Sequence, residues 1–114
     1  MVKAKAVADY FLTKNIPGTD YEITHLKLQK LVYYAEALYL AVRKDSPPLI
    51  DEDFEAWVHG PVCKELYNEY RGYGYRPLPV IREDEVTDSF SKDIKEILDA
   101  VWLLYGKYDG KALE

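Results

Sequence analysis

His59 and Cys63 stand four residues apart, a spacing that invites metal ligation or thiol chemistry. A zinc site needs three or four ligands, and only His25 and scattered carboxylates remain to complete one. Gly60-Pro61 lies between the two residues and puts them on different elements. A nucleophilic thiolate also needs an oriented base beside it, and the sequence supplies none. Cys63 is therefore expected to be buried and inert. His25 should open a helix, where the positive dipole end disfavours its charged form. No glycine-rich phosphate loop, Ser-His-Asp order or paired-carboxylate motif stands out. The expectation is no catalytic residue, no metal and no cofactor.

A second group of side chains suits recognition instead. Trp57, His59, Tyr67, Tyr70, Arg71, Tyr73, Tyr75 and Arg76 cluster in sequence, in a chain holding 11 tyrosines. Tyrosine, tryptophan and arginine dominate interface hot spots because they offer large contact area, a polar handle and little rotamer cost. The run Tyr70-Arg71-Gly72-Tyr73-Gly74-Tyr75-Arg76 carries more rings than one small core can bury. Trp57, His59, Tyr70, Arg71, Tyr73, Tyr75 and Arg76 are the candidate partner-binding residues. The plainer reading puts Trp57, Tyr67 and Tyr70 in the core and leaves the rest as loop aromatics. Rings interleaved with Arg71 and Arg76 also suit stacking on single-stranded bases. Two acidic clusters, Asp51, Glu52, Asp53 and Glu55 and then Glu83, Asp84, Glu85 and Asp88, would merge into one negative surface if the segments between them pair. A solvated acidic rim is the plainer alternative.

Helices must position these groups. Ala4, Val7, Ala8 and Phe11 mark one helical face, and Asn15-Ile16-Pro17-Gly18 stops it. Thr24 is a good N-cap for the strongest element, which runs without proline or glycine to Pro47. There Leu28, Leu31, Val32, Ala35, Leu38, Tyr39 and Val42 form a wide apolar stripe, with Lys27, Lys30 and Glu36 off it. Phe54 to His59 reads as a short strand, paired with the extended segment Arg76 to Ile81. Pro61 suits the first position of a helix with Val62, Leu66, Tyr67 and Tyr70 on its buried edge. A last helix from Ser91 to Tyr105 presents Ile94, Ile97, Leu98, Val101 and Tyr105, and Gly106 caps it. The predicted fold is mainly α, about four helices around a long central one, with a small two-stranded β element.

Two blocks go beyond architecture. The first is Ile23-Thr24-His25-Leu26-Lys27-Leu28-Gln29-Lys30-Leu31-Val32-Tyr33-Tyr34-Ala35. The second is Phe54-Glu55-Ala56-Trp57-Val58-His59-Gly60-Pro61-Val62, followed by Glu65-Leu66-Tyr67 and Tyr73-Gly74. In this order, with Val7-Ala8-Asp9-Tyr10 before and Val101-Trp102-Leu103-Leu104-Tyr105-Gly106 after, they resemble the Panacea domain. That is the SocA-like antitoxin family, which includes phage-associated GepA-type proteins. Leu28, Gln29, Lys30, Tyr33, Tyr34, Glu55, Trp57, Gly60 and Pro61 are the family-motif residues. Gln29 and Lys30 suit either a structural job, such as bracing the Trp57 segment, or contact with a neighbouring chain. The resemblance treats residues 1–114 as a single domain. The family's tail, a further helix with a threonine–histidine pair and a proline–tryptophan, does not follow before Glu114. What the resemblance implies is binding rather than catalysis: neutralisation of a partner toxin by direct contact, the toxin encoded by an adjacent gene. The alternatives are a nucleic-acid-binding regulator and a small phage-associated enzyme.

Composition fits this class. A chain of 114 residues, 48% hydrophobic and 31% charged, buries about two thirds of its surface in one core. The net charge of −5 lacks the footprint of a general nucleic-acid binder, for which phosphate neutralisation supplies most of the affinity. One cysteine excludes an internal disulfide and fits a reducing, cytoplasmic setting. The apolar stretch from Leu31 to Val42 contains Glu36 and is too short to span a bilayer, and Met1-Val2-Lys3-Ala4-Lys5 lacks the pattern of a signal peptide.

Overall fold

The computed structural model describes residues 1–86 and 90–114. It is mainly α, with helices α1 (Ala4–Leu12), α2 (His25–Val42), α3 (Lys64–Tyr70) and α4 (Lys92–Tyr105). A two-stranded antiparallel hairpin, β1 (Phe54–Trp57) and β2 (Gly60–Cys63), lies between α2 and α3. No helix among the described residues is long and apolar enough to cross a membrane.

The apolar spacing folds as expected. Ala4, Val7, Ala8 and Phe11 of α1 meet Leu28, Leu31, Val32 and Ala35 of α2, and Ile97, Leu98 and Val101 of α4 complete the core. Thr24 and Ser91 are N-caps whose hydroxyls accept from Lys27 N and Ile94 N, both at 3.4 Å. Gly106 caps α4, and a Cβ there would stand 2.6 Å from the Trp102 carbonyl oxygen.

Three expectations need correction. The stripe on α2 ends early: Leu38 and Tyr39 are half-buried and Val42 is exposed. Lys27, Lys30 and Glu36, expected off the stripe, are buried with Gln29, because each aims its polar end at the backbone of a segment crossing the helix. The strand partner also differs. β1 pairs with β2 in the register Phe54↔Cys63, Glu55↔Val62, Ala56↔Pro61 and Trp57↔Gly60, so Pro61 lies in a strand and the helix begins at Lys64. The segment 76–81 instead joins the loop after α1: Leu78 N donates to Ile23 O at 2.9 Å and Ile81 N to Leu12 O at 3.2 Å. Asn15 ties both together, donating to Leu78 O at 2.7 Å and accepting from Ile23 N at 2.8 Å.

With that pairing gone, the premise for merging the two acidic clusters is gone as well. Asp51 pairs with Lys3 at 2.7 Å, and Glu52 accepts from Ala4 N at the start of α1 at 3.0 Å. Asp84 and Glu85 share Arg82, while Asp88 lies outside the described residues.

Leu31 is fully buried at the centre of α2, so Leu31→Ala is expected to destabilise the fold by about 2–5 kcal/mol in urea denaturation. Near-zero loss would place that face of the helix elsewhere.

Candidate functional site

The polar side chains of α2 position the hairpin. Gln29 grips Cys63 at both ends of its amide: Oε1 accepts from Cys63 N at 2.9 Å, and Nε2 donates to Cys63 O at 3.1 Å. One turn face along, the Lys30 ammonium donates to the carbonyl of His59 in the hairpin turn. Gly60 makes that approach possible. Its φ is +119°, and a Cβ would stand 2.5 Å from Lys30 Nζ. The sequence blocks Gln29-Lys30 and His59-Gly60-Pro61 thus form one mechanical unit.

Gln29 also fixes the state of His25. Because its oxygen must face Cys63 N–H, its NH2 faces His25 Nε2, 3.1 Å away, and that nitrogen must carry the lone pair. Burial pushes the His25 pKa below its ordinary value of 6.5, in keeping with the neutral ring. The expected disfavouring of charge is therefore met, with burial as its cause.

A cleft of about 1070 Å³ opens between the N-terminal turns of α2, the hairpin, α3 and the C-terminal segment. Trp57, His59, Arg71 and Tyr75, all singled out from the sequence, line it beside the motif residues Gln29, Lys30 and Pro61. Trp57 packs on Tyr67 with ring centroids 4.7 Å apart, donates to Glu55 Oε1 at 3.0 Å and remains 39% exposed. Tyr67 lies between His25, at 5.6 Å, and the Arg71 guanidinium, at 5.7 Å. Tyr75 is 94% exposed. His59 Nδ1 stands 2.8 Å from Glu114 Oε1.

Other candidates lie elsewhere. Tyr70 is corrected to the core: it is 4% exposed, with Lys5 Nζ 5.6 Å from its ring. Tyr73 is half-buried against that core, and Arg76 turns back onto its own loop, donating to Gly72 O at 2.9 Å and Tyr73 O at 3.1 Å. Leu28 is core, Tyr33 packs edge-on against Phe54, and Tyr34 stacks on Tyr105 and donates to Leu113 O. The cleft residues Lys111 and Glu114 escaped sequence reading, because nothing in their types signals that the C-terminal segment folds back.

Cys63 is buried, its thiol pushed up to about 11 by desolvation, and Sγ faces Glu65 Oε2 at 3.4 Å. The His59 ring is directed to Glu114, so the two residues have separate partners. Rings, one guanidinium and an open rim suit the cleft to contact with another molecule's side chains.

A family model for the SocA-like antitoxin, Panacea domain, matches residues 28–114. The chain is similar to the Antitoxin SocA of Caulobacter vibrioides (strain NA1000 / CB15N), 31% identical over 121 residues. The match takes in 98% of this chain and 63% of that protein, so the chain spans less than two thirds of the relative's length. No solved structure matches.

Two outcomes follow from the Gln29–Lys30 unit. Gly60→Ala combines a strained φ with displacement of Lys30 and should lower stability by about 1–3 kcal/mol, read by thermal melting. His25 has a depressed folded pKa, so below roughly pH 6.5 the unfolded chain takes up the proton first. Its contribution is complete above that pH and is lost as the pH falls through the folded value. His25→Gln should therefore flatten the fall in stability below about pH 6.5. An unchanged profile would mean that the ring has no such role.

Proposed function

This chain belongs to the SocA-like antitoxin family and carries its Panacea domain, and on that premise we propose that it neutralises a partner toxin by direct binding. The toxin is the product of a neighbouring gene, and the encounter takes place in the cytoplasm. The observation that carries this reading is the cleft between the hairpin, α2 and α3, where Trp57, His59, Arg71 and Tyr75 converge. Such a surface binds by excluding water from the Trp57 ring, which its packing on Tyr67 already holds in place, and this limits the entropy lost on association. The inhibition is steric and non-enzymatic: the bound antitoxin covers the toxin's active or substrate-binding surface. Nucleic-acid stacking gains no support, since Arg76 is engaged by its own loop and the chain carries a net charge of −5.

Co-expression with the neighbouring gene tests the proposal. Wild-type protein should restore growth in cells making the toxin and should co-purify with it. A neighbour that is harmless alone, or that stays toxic while bound, overturns it. Trp57→Ala and Tyr75→Ala should each weaken the complex by about 2 kcal/mol or more, as hot-spot residues do. Tyr75→Ala should leave folding stability within about 0.5 kcal/mol, since its ring is solvent-exposed.

A further inference from the structure

The two edges of the hairpin are not equivalent. In an antiparallel ladder, pairs that exchange N–H···O bonds alternate with pairs whose N–H and C=O groups point outward. Pro61 has no N–H, and Cys63 gives its N–H and C=O to Gln29. Ala56↔Pro61 and Phe54↔Cys63 are therefore the outward-facing pairs, and Glu55↔Val62 and Trp57↔Gly60 are the bonded ones. On β2 the outer edge is engaged at Cys63, which the Gln29 amide meets as a neighbouring strand would, and at Pro61 it offers no donor. On β1 the backbone N–H and C=O of Phe54 and Ala56 face outward with no hydrogen-bond partner among the described residues.

We propose that the outer edge of β1 receives an extended, basic segment of the partner protein, which adds to the hairpin as a third strand. This inference rests on the antitoxin reading and specifies how the partner is held. A free edge of this kind is a template for strand addition, in which main-chain bonds give affinity and alternate side chains give selectivity. The charge of the occupant follows from the edge. Asp53 and Glu55 are exposed there, and neither is within salt-bridge distance of a lysine, arginine or histidine among the described residues. A second copy of this chain would bring the same carboxylates against each other, so a cationic strand is the better fit. Ala56, Trp57 and the 96%-exposed Val58 line the cleft, which places the added strand beside the aromatic surface.

The probe is a blocked decapeptide of alternating lysine and valine, with an analogue N-methylated at every amide, so that neither edge of the strand keeps a donor. Amide hydrogen exchange is followed by NMR on the intact protein. The Phe54 and Ala56 amides should exchange rapidly in the free protein and slow by roughly tenfold or more on saturation with the peptide. The N-methylated analogue keeps every side chain and charge but loses its donors, so it should bind roughly tenfold more weakly, the worth of one or two hydrogen bonds. Ala56→Pro removes one outward N–H without breaking a β1–β2 bond and should weaken binding to a similar degree. Ala56→Val keeps the N–H and should weaken binding clearly less than Ala56→Pro does. No binding, binding without protection at Phe54 and Ala56, or equal affinity for the N-methylated analogue would each overturn strand addition. That analogue leaves the protein unaltered, so the test stands even if Ala56→Pro does not fold. Growth rescue separates the two readings. Rescue by Ala56→Pro equal to wild type overturns strand addition and leaves the antitoxin function standing. Failure of the wild type to rescue ends the antitoxin reading, while the peptide experiment still decides the edge.

Discussion

The structure depends on one helix that buries polar side chains in order to hold backbone. Lys27 reaches the carbonyls of Asp20 and Gly106, at 3.1 and 2.5 Å, with its ammonium 5.5 Å from the Trp102 ring. Gln29 holds Cys63, and Lys30 holds the hairpin turn. Glu36 accepts from Leu49 N and Ile50 N at 2.8 and 3.0 Å. Removing a charge from water is costly, and burial lowers the Lys27 pKa accordingly. What offsets the cost is that irregular segments crossing the helix carry N–H and C=O groups needing partners of their own. No buried side-chain nitrogen or oxygen among the described residues lacks a hydrogen bond.

That constraint explains the walls of the cleft. A two-stranded hairpin is marginal in water without something to pack on. Here α2 supplies both an apolar face for Phe54 and Cys63 and a polar clamp on β2. Trp57 and His59 can project towards the cleft because the turn between them and Gly60 is held from behind. Gln29 and Lys30 are thus positioning residues for the cleft, and their pairing with Gly60 and Pro61 needs no shared ligand to account for it.

The chemistry-bearing types in this chain have been turned to structural use. The thiol of Cys63 is buried and raised, His25 is an acceptor for an amide, and the lysines of α2 cap carbonyls. What stays available at the cleft and the hairpin edge is ring surface, the Arg71 guanidinium and the exposed carboxylates of Asp53 and Glu55, which supports the reading of a protein that acts by occupying space on another.

Local physics was legible in the residues themselves. Helix faces follow from three-and-four spacing, and the caps at Thr24 and Ser91 from their hydroxyls, because both depend on neighbours within one turn. The convergence of Trp57, His59 and Arg71 was also foreshadowed by their proximity in the chain. Strand pairing was not: Pro61 looked like a helix start, and only the register with β1, which turns the Pro61 nitrogen outward, shows why a residue without an N–H fits β2. Spacing sets Lys27, Lys30 and Glu36 off the apolar stripe, yet they are buried, and Gln29, for which bracing the Trp57 segment is one of two readings, is buried holding Cys63. Their fate depended on which loop crossed the helix at their level. Spacing along the sequence set what each element could bury; the path of the chain between elements set which polar groups it had to satisfy, and only the folded backbone contains that path.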